Sequence, residues 1–110
     1  MTQQHIDKGK KLAIISYITI IGTIIALFTN NEHKNPFTAF HVRQALGLWL
    51  TFFILGKVIS TADNWPATIG FWIFFSVLFF YGFIGALSGK IQIVPLLGKW
   101  FQKWFANIGN

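Results

Sequence analysis

Three long apolar stretches separated by two short polar loops set the pattern of this chain. Leu12 to Thr29, LAIISYITIIGTIIALFT, carries no charge and is long enough for a membrane-spanning helix. The polar loop NNEHKN follows, and Pro36 then suits a first helical position, where its missing N–H costs nothing. From Phe37 the pattern reads as helix to about Ile59, interrupted only by Gly47 and Gly56. A second polar turn, STADNWP, places Trp65 as an interface anchor. Ala67 to Ser88 carries aromatic residues on all sides, as expected of a helix facing lipid over much of its circumference. In the tail from Pro95, Leu97, Trp100, Phe101, Trp104, Phe105 and Ile108 share one arc, opposite Lys99, Gln102, Lys103 and Asn107. Such an amphipathic segment suits a helix lying in a membrane interface. The pattern predicts an all-α polytopic membrane protein in a single domain, 1–110. It has three transmembrane helices, over 12–29, 37–59 and 67–88, plus a C-terminal amphipathic interfacial helix over 96–108.

The second stretch is the tightest fit. Thirteen uncharged residues separate Arg43 from Lys57, which at about 1.5 Å per residue is roughly 20 Å, against a hydrocarbon core of about 30 Å. Both flanking side chains have long stems that reach toward opposite interfaces, which makes the span sufficient. The competing reading is a helix that enters only partway. Three spans put the termini on opposite sides, with Lys8, Lys10, Lys11 and Lys57 facing Lys34, Arg43, Lys90, Lys99 and Lys103. That near-balance leaves the orientation open under the positive-inside rule.

Composition agrees with the pattern. Hydrophobic residues make up 54% of the 110 and charged residues 11%, where soluble domains carry about 25% charged. The net charge of +6 comes from basic residues at the ends of apolar runs, which points to anionic membrane lipids and away from nucleic acid. The absence of cysteine excludes disulfides and thiol chemistry. Basic residues before the first apolar run also fit a signal peptide. The run exceeds a usual signal core and no small-x-small site follows, so a retained helix is expected.

No catalytic constellation is visible. The acidic residues Asp7, Glu32 and Asp63 lie outside the apolar runs, and His5, His33 and His41 lack metal-ligand spacing. No enzyme activity, cofactor or metal is expected. His41, Arg43 and Gln44 stand out, because polar groups near membrane depth cost free energy unless paired or wet. Two readings follow: a wet helix entrance with Arg43 on lipid phosphate, or a polar pathway in which His41 and Gln44 face a wet cavity between helices. Ser16, Thr19, Thr23 and Ala26 form a narrow stripe of small residues, and Gly82, Gly85 and Gly89 a smooth patch with a G-x-x-x-G match. Both are expected as helix-packing seams. Lys99, Trp100, Lys103 and Trp104 are the expected interfacial anchor.

FHVRQALGLWL after a short polar loop resembles the H-x-R-Q-A-L segment of a bacterial membrane family grouped with the Tic-twenty subunit of the chloroplast inner-envelope import translocon. The preceding SYITIIGTIIALF and the following GALSGKIQIVPLLGKW extend the resemblance over about residues 12 to 104. It implies a compact helical membrane bundle in a bacterial inner membrane, acting as an oligomeric protein-translocation or channel-like subunit. It also implies that His41, Arg43 and the tail lysines lie on the cytosolic side. The plastid protein is drawn with four spans, against three here, and no plastid transit peptide is present. The alternatives are a structural or accessory membrane protein that binds partner helices, lipid or copies of itself without a pathway of its own, and a holin-like lytic pore.

Overall fold

Side-chain caps mark where the long helices begin. In a computed structural model, which describes residues 2–107, Thr2 caps α1 (Gln3–Ile18), Thr19 caps α2 (Ile20–His33), Asn35 caps α3 (Pro36–Thr61) and Asn64 caps α4 (Trp65–Leu87). Each cap oxygen accepts from a backbone N–H that the first helical turn leaves unpaired. A short α5 (Gly98–Trp104) follows a non-helical strap, residues 88–97. The protein is all-α, and α3 and α4 are long and apolar enough to cross a membrane.

The continuous helix expected over 12–29 is corrected: the chain breaks at Thr19. Thr19 is extended (φ −148°, ψ 163°), and its hydroxyl accepts from Gly22 N at 2.9 Å, starting α2 in a new direction. The local sequence favours the break. Ile18, Thr19, Ile20 and Ile21 are all β-branched and Gly22 is a weak helix former. α2 then doubles back along α1. Thr23 Oγ1 donates to Ser16 O across the turn. A Cβ on Gly22 would lie 2.2 Å from the Ile15 carbonyl oxygen, so only glycine permits this approach.

The doubling-back also brings the start of α1 and the tail to the same end of the body, where three successive spans would set them at opposite ends. Asn35 Nδ2 donates to His5 O and Thr38 Oγ1 to Gly9 O, which lays the start of α1 beside the start of α3. α4 runs antiparallel to α3. Trp49 meets Phe79 at 4.6 Å between ring centroids, and Phe52 meets Phe71 at 5.3 Å and Phe75 at 5.7 Å. These aromatic contacts zip the two long helices together. α4 ends beside the start of α1, with Gly89 close to Ile6. The strap and α5 return over the first half of α3. The starts of α1 and α3, the ends of α2 and α4, and the tail therefore gather at one end of a body 47 Å long and about 23 Å across. The turn between α3 and α4 stands alone at the other.

Within this body Ala13, Tyr17, Phe37, Leu48, Leu78 and Phe101 form the core. The outer faces are apolar: Ile21, Ile54 and Phe80 are 66%, 64% and 64% exposed. The helix expected over 96–108 is shorter, ending at Trp104, and Ile108 lies outside the described residues.

Candidate functional site

The buried polar cluster is built on one face of α3. His41 and Gln44, three residues apart, point inward and are fully buried. α1 brings Tyr17 to them, and the strap brings the backbone of Lys90, Gln92 and Val94. The Lys90 carbonyl, 2.9 Å from His41 Nε2, can only accept, so Nε2 carries the ring hydrogen. In the neutral ring Nδ1 is then an acceptor and takes the Tyr17 hydroxyl hydrogen at 2.7 Å. Tyr17 Oη in turn accepts from Gln44 Nε2 at 2.8 Å. The second Gln44 N–H goes to Gln92 O at 2.9 Å, and Gln44 Oε1 accepts from Val94 N at 2.8 Å. Tyr17, Phe37 and Phe40 surround the imidazole edge-on, with centroids 5.5, 4.8 and 5.1 Å away.

One of the two readings has His41 and Gln44 facing a wet cavity between helices; in this structure both are fully buried. Their hydrogen-bonding groups are engaged by a tyrosine and by main chain, in a packed interior. Among the described residues no buried side-chain polar atom lacks a partner. Such a network holds a strap in place. A fully satisfied buried network fixes one arrangement, because any partial loosening strands a polar group. Arg43, on the other side of the helix, is half-buried, and its Nη2 donates to Ala106 O at 3.3 Å.

The other expected positions divide. Ser16, Thr19 and Thr23 serve the α1–α2 hairpin, with Ser16 O also accepting from Trp49 Nε1 at 3.2 Å. Gly82 lies under the Tyr17 ring, where a Cβ would meet ring carbon at 2.7 Å. Gly85 faces Gln92 of the strap, 3.2 Å from where a Cβ would stand. Gly89 lies one residue past the C-cap of α4 and packs against Ile6 of α1, not within the helix that the G-x-x-x-G match implies. It sits at φ +70° past the end of α4, with Gly89 N bonded to Ala86 O and Lys90 N to Gly85 O, the bond pattern of a left-handed helix stop. In α5, Phe101 is buried against Gly47 and Gln102 Nε2 donates to Phe40 O at 2.8 Å. Lys99, Trp100, Lys103 and Trp104 remain exposed, with the two indoles 5.8 Å apart.

Sequence reasoning missed Tyr17 and the strap. Tyr17 reads as one more apolar position in its run, and the strap contributes main-chain atoms that no residue type announces. Comparison of the chain with protein-family models, with curated proteins and with solved structures finds no match in any of the three, so the site stands on its own geometry.

Proposed function

We propose that this chain is a small integral membrane protein inserted by the α3–α4 hairpin, with α1 and α2 dipping in and returning on the same side. It acts as an accessory or structural component that binds lipid and partner helices, and a single copy conducts nothing through itself. The observation that carries the reading is the self-satisfied interior. The polar groups that would line a pathway, His41 and Gln44, are spent on Tyr17 and on the strap.

The apolar outer faces of α2, α3 and α4 support membrane insertion, since exposed apolar surface on this scale is costly in water. α3, with 26 residues, is about 39 Å long at 1.5 Å per residue, enough for a core of about 30 Å. The charge distribution supports an orientation. All the lysines and arginines except Lys57 belong to the end that gathers the chain termini, so the positive-inside rule assigns that end to the cytoplasm. If the chain serves protein translocation, as the FHVRQAL resemblance implies, the pathway runs between chains, and each copy contributes a hairpin to its wall.

Purified protein reconstituted in liposomes at one copy per vesicle tests this reading. It predicts dye and ion leakage equal to that of empty vesicles. Leakage proportional to the number of single copies would overturn it.

A further inference from the structure

A cleft of about 400 Å³ opens at the basic end, between α1 and the junction of α2 with α3. Its rim carries His5 and Lys8 from α1 and His33 and Lys34 from the end of α2. Among the described residues no carboxylate lines it. Its volume falls in the range of small-ligand pockets.

The cleft is held open by bonds that use none of the four basic groups as partners across it. Asn30 and Asn35 form a reciprocal pair, with Asn35 N donating to Asn30 Oδ1 at 2.9 Å and Asn30 Nδ2 to Asn35 O at 3.2 Å. Asn35 Nδ2 ties this pair to α1 through His5 O at 2.8 Å, and Thr38 Oγ1 adds Gly9 O at 3.0 Å. Gly9 is required for the closeness, since a Cβ there would lie 2.5 Å from both Asn35 Oδ1 and Thr38 Oγ1. Thr2 N donates to His5 Nδ1 at 3.2 Å, which leaves Nε2 of that ring as an N–H donor. Two ammonium groups and an imidazole donor are thus gathered around a space with no anionic side chain. Like charges brought together without a counter-charge repel one another, and an anion in the cleft relieves that cost.

We propose that this cleft binds a phosphate-bearing anion, either the headgroup of an anionic phospholipid or a free phosphate of the same chemistry. Leu12, on the cleft wall where the apolar part of α1 begins, supplies contact for the glycerol backbone of a lipid. Only the lipid source rests on the membrane reading above; the cleft itself is read in detergent, separately from how the chain crosses a bilayer.

The test is native mass spectrometry of the full chain in detergent, titrated with phosphatidylglycerol, phosphatidylcholine and inorganic phosphate. The wild type should retain one phosphatidylglycerol and release phosphatidylcholine. Lys8→Gln with Lys34→Asn, the asparagine being chosen because Lys34 sits at φ 49°, should lose about thirtyfold in affinity. Lys10→Gln with Lys11→Gln removes the same charge outside the cleft and should stay within about twofold of wild type. Circular dichroism verifies that both variants keep their helices. Displacement of the lipid by millimolar inorganic phosphate assigns the cleft to free phosphate, and persistence of the lipid assigns it to the headgroup. Equal retention of both lipids with no phosphate binding, or equal losses in the two double variants, would overturn the proposal.

Discussion

Replacing Gln44 with leucine should release the strap while leaving the helices standing. Gln44 makes three hydrogen bonds, two of them to strap main chain. Leucine fills a similar volume and makes none. The Val94 N–H, on a residue only 1% exposed, is left buried without an acceptor, at a cost of about 2 kcal/mol. The bond to Gln92 O contributes about 1 kcal/mol, while the bond to Tyr17 Oη, on α1, does not bear on strap lifting. Burial of the leucine side chain returns about 2 kcal/mol, so a net loss of about 1 kcal/mol falls on the contact between α3 and the strap. That loss raises the fraction of lifted strap about fivefold. Limited trypsin digestion reads it, because Lys90 is an exposed cleavage site whose carbonyl is held by His41. When closing is faster than cutting, the cleavage rate follows the open fraction. Cleavage after Lys90 should therefore accelerate about fivefold, and the Val94 amide should exchange correspondingly faster. Unchanged cleavage together with an unchanged Val94 amide would refute the assignment of the network as a strap lock.

Three further substitutions probe the rest of the fold. Gly22→Val places a side chain against the Ile15 carbonyl and should destabilise the α1–α2 hairpin by about 3 kcal/mol, by analogy with overpacked cores; a thermal melt in detergent measures it, and an unshifted midpoint would contradict the close approach. Asn35→Ala removes the α3 cap and the tie to His5 O and should cost about 2 kcal/mol, read as a lower midpoint with faster exchange of the Phe37 and Thr38 amides. Gly47→Leu fills the space of the Phe101 ring, 2.3 Å from the Cβ position, and should undock α5; trypsin cleavage after Lys99 and Lys103 should rise while cleavage after Lys34 stays constant.

Hydropathy makes the two long helices legible. The segments expected over 37–59 and 67–88 are α3 (Pro36–Thr61) and α4 (Trp65–Leu87), because Pro36, and the Asn64 cap with Pro66 in the first turn behind it, are strong local punctuation. The first apolar run misleads for a physical reason. Hydropathy sums along a chain and is blind to direction, so a helix that folds back at Thr19 scores like one that continues. Its local signal is Thr19 followed three residues later by Gly22, a cap and a close-approach residue, inside a β-branched run. His41 and Gln44 stand out in the sequence because polar groups in an apolar helix demand an explanation. The explanation itself is not legible there. It lies in main-chain atoms of the strap some 50 residues away, as with Gln44 and Val94, and in the hydroxyl of Tyr17. The small-residue stripe from Ser16 to Thr23 is legible as a seam, though it closes a turn within the chain.

Side-specific cysteine labelling tests the central claim, that α1 and α2 form a returning hairpin and leave both chain ends on one side of a two-span protein. The natural sequence has no cysteine, so single substitutions report without background. Gln3→Cys, Lys103→Cys and Asp63→Cys are each exposed to a membrane-impermeant maleimide in intact spheroplasts and in inverted vesicles. The account predicts that Gln3→Cys and Lys103→Cys label together in inverted vesicles, and that Asp63→Cys labels in spheroplasts. Labelling of Gln3→Cys and Lys103→Cys from opposite sides would contradict it, and would restore a first helix that crosses the membrane.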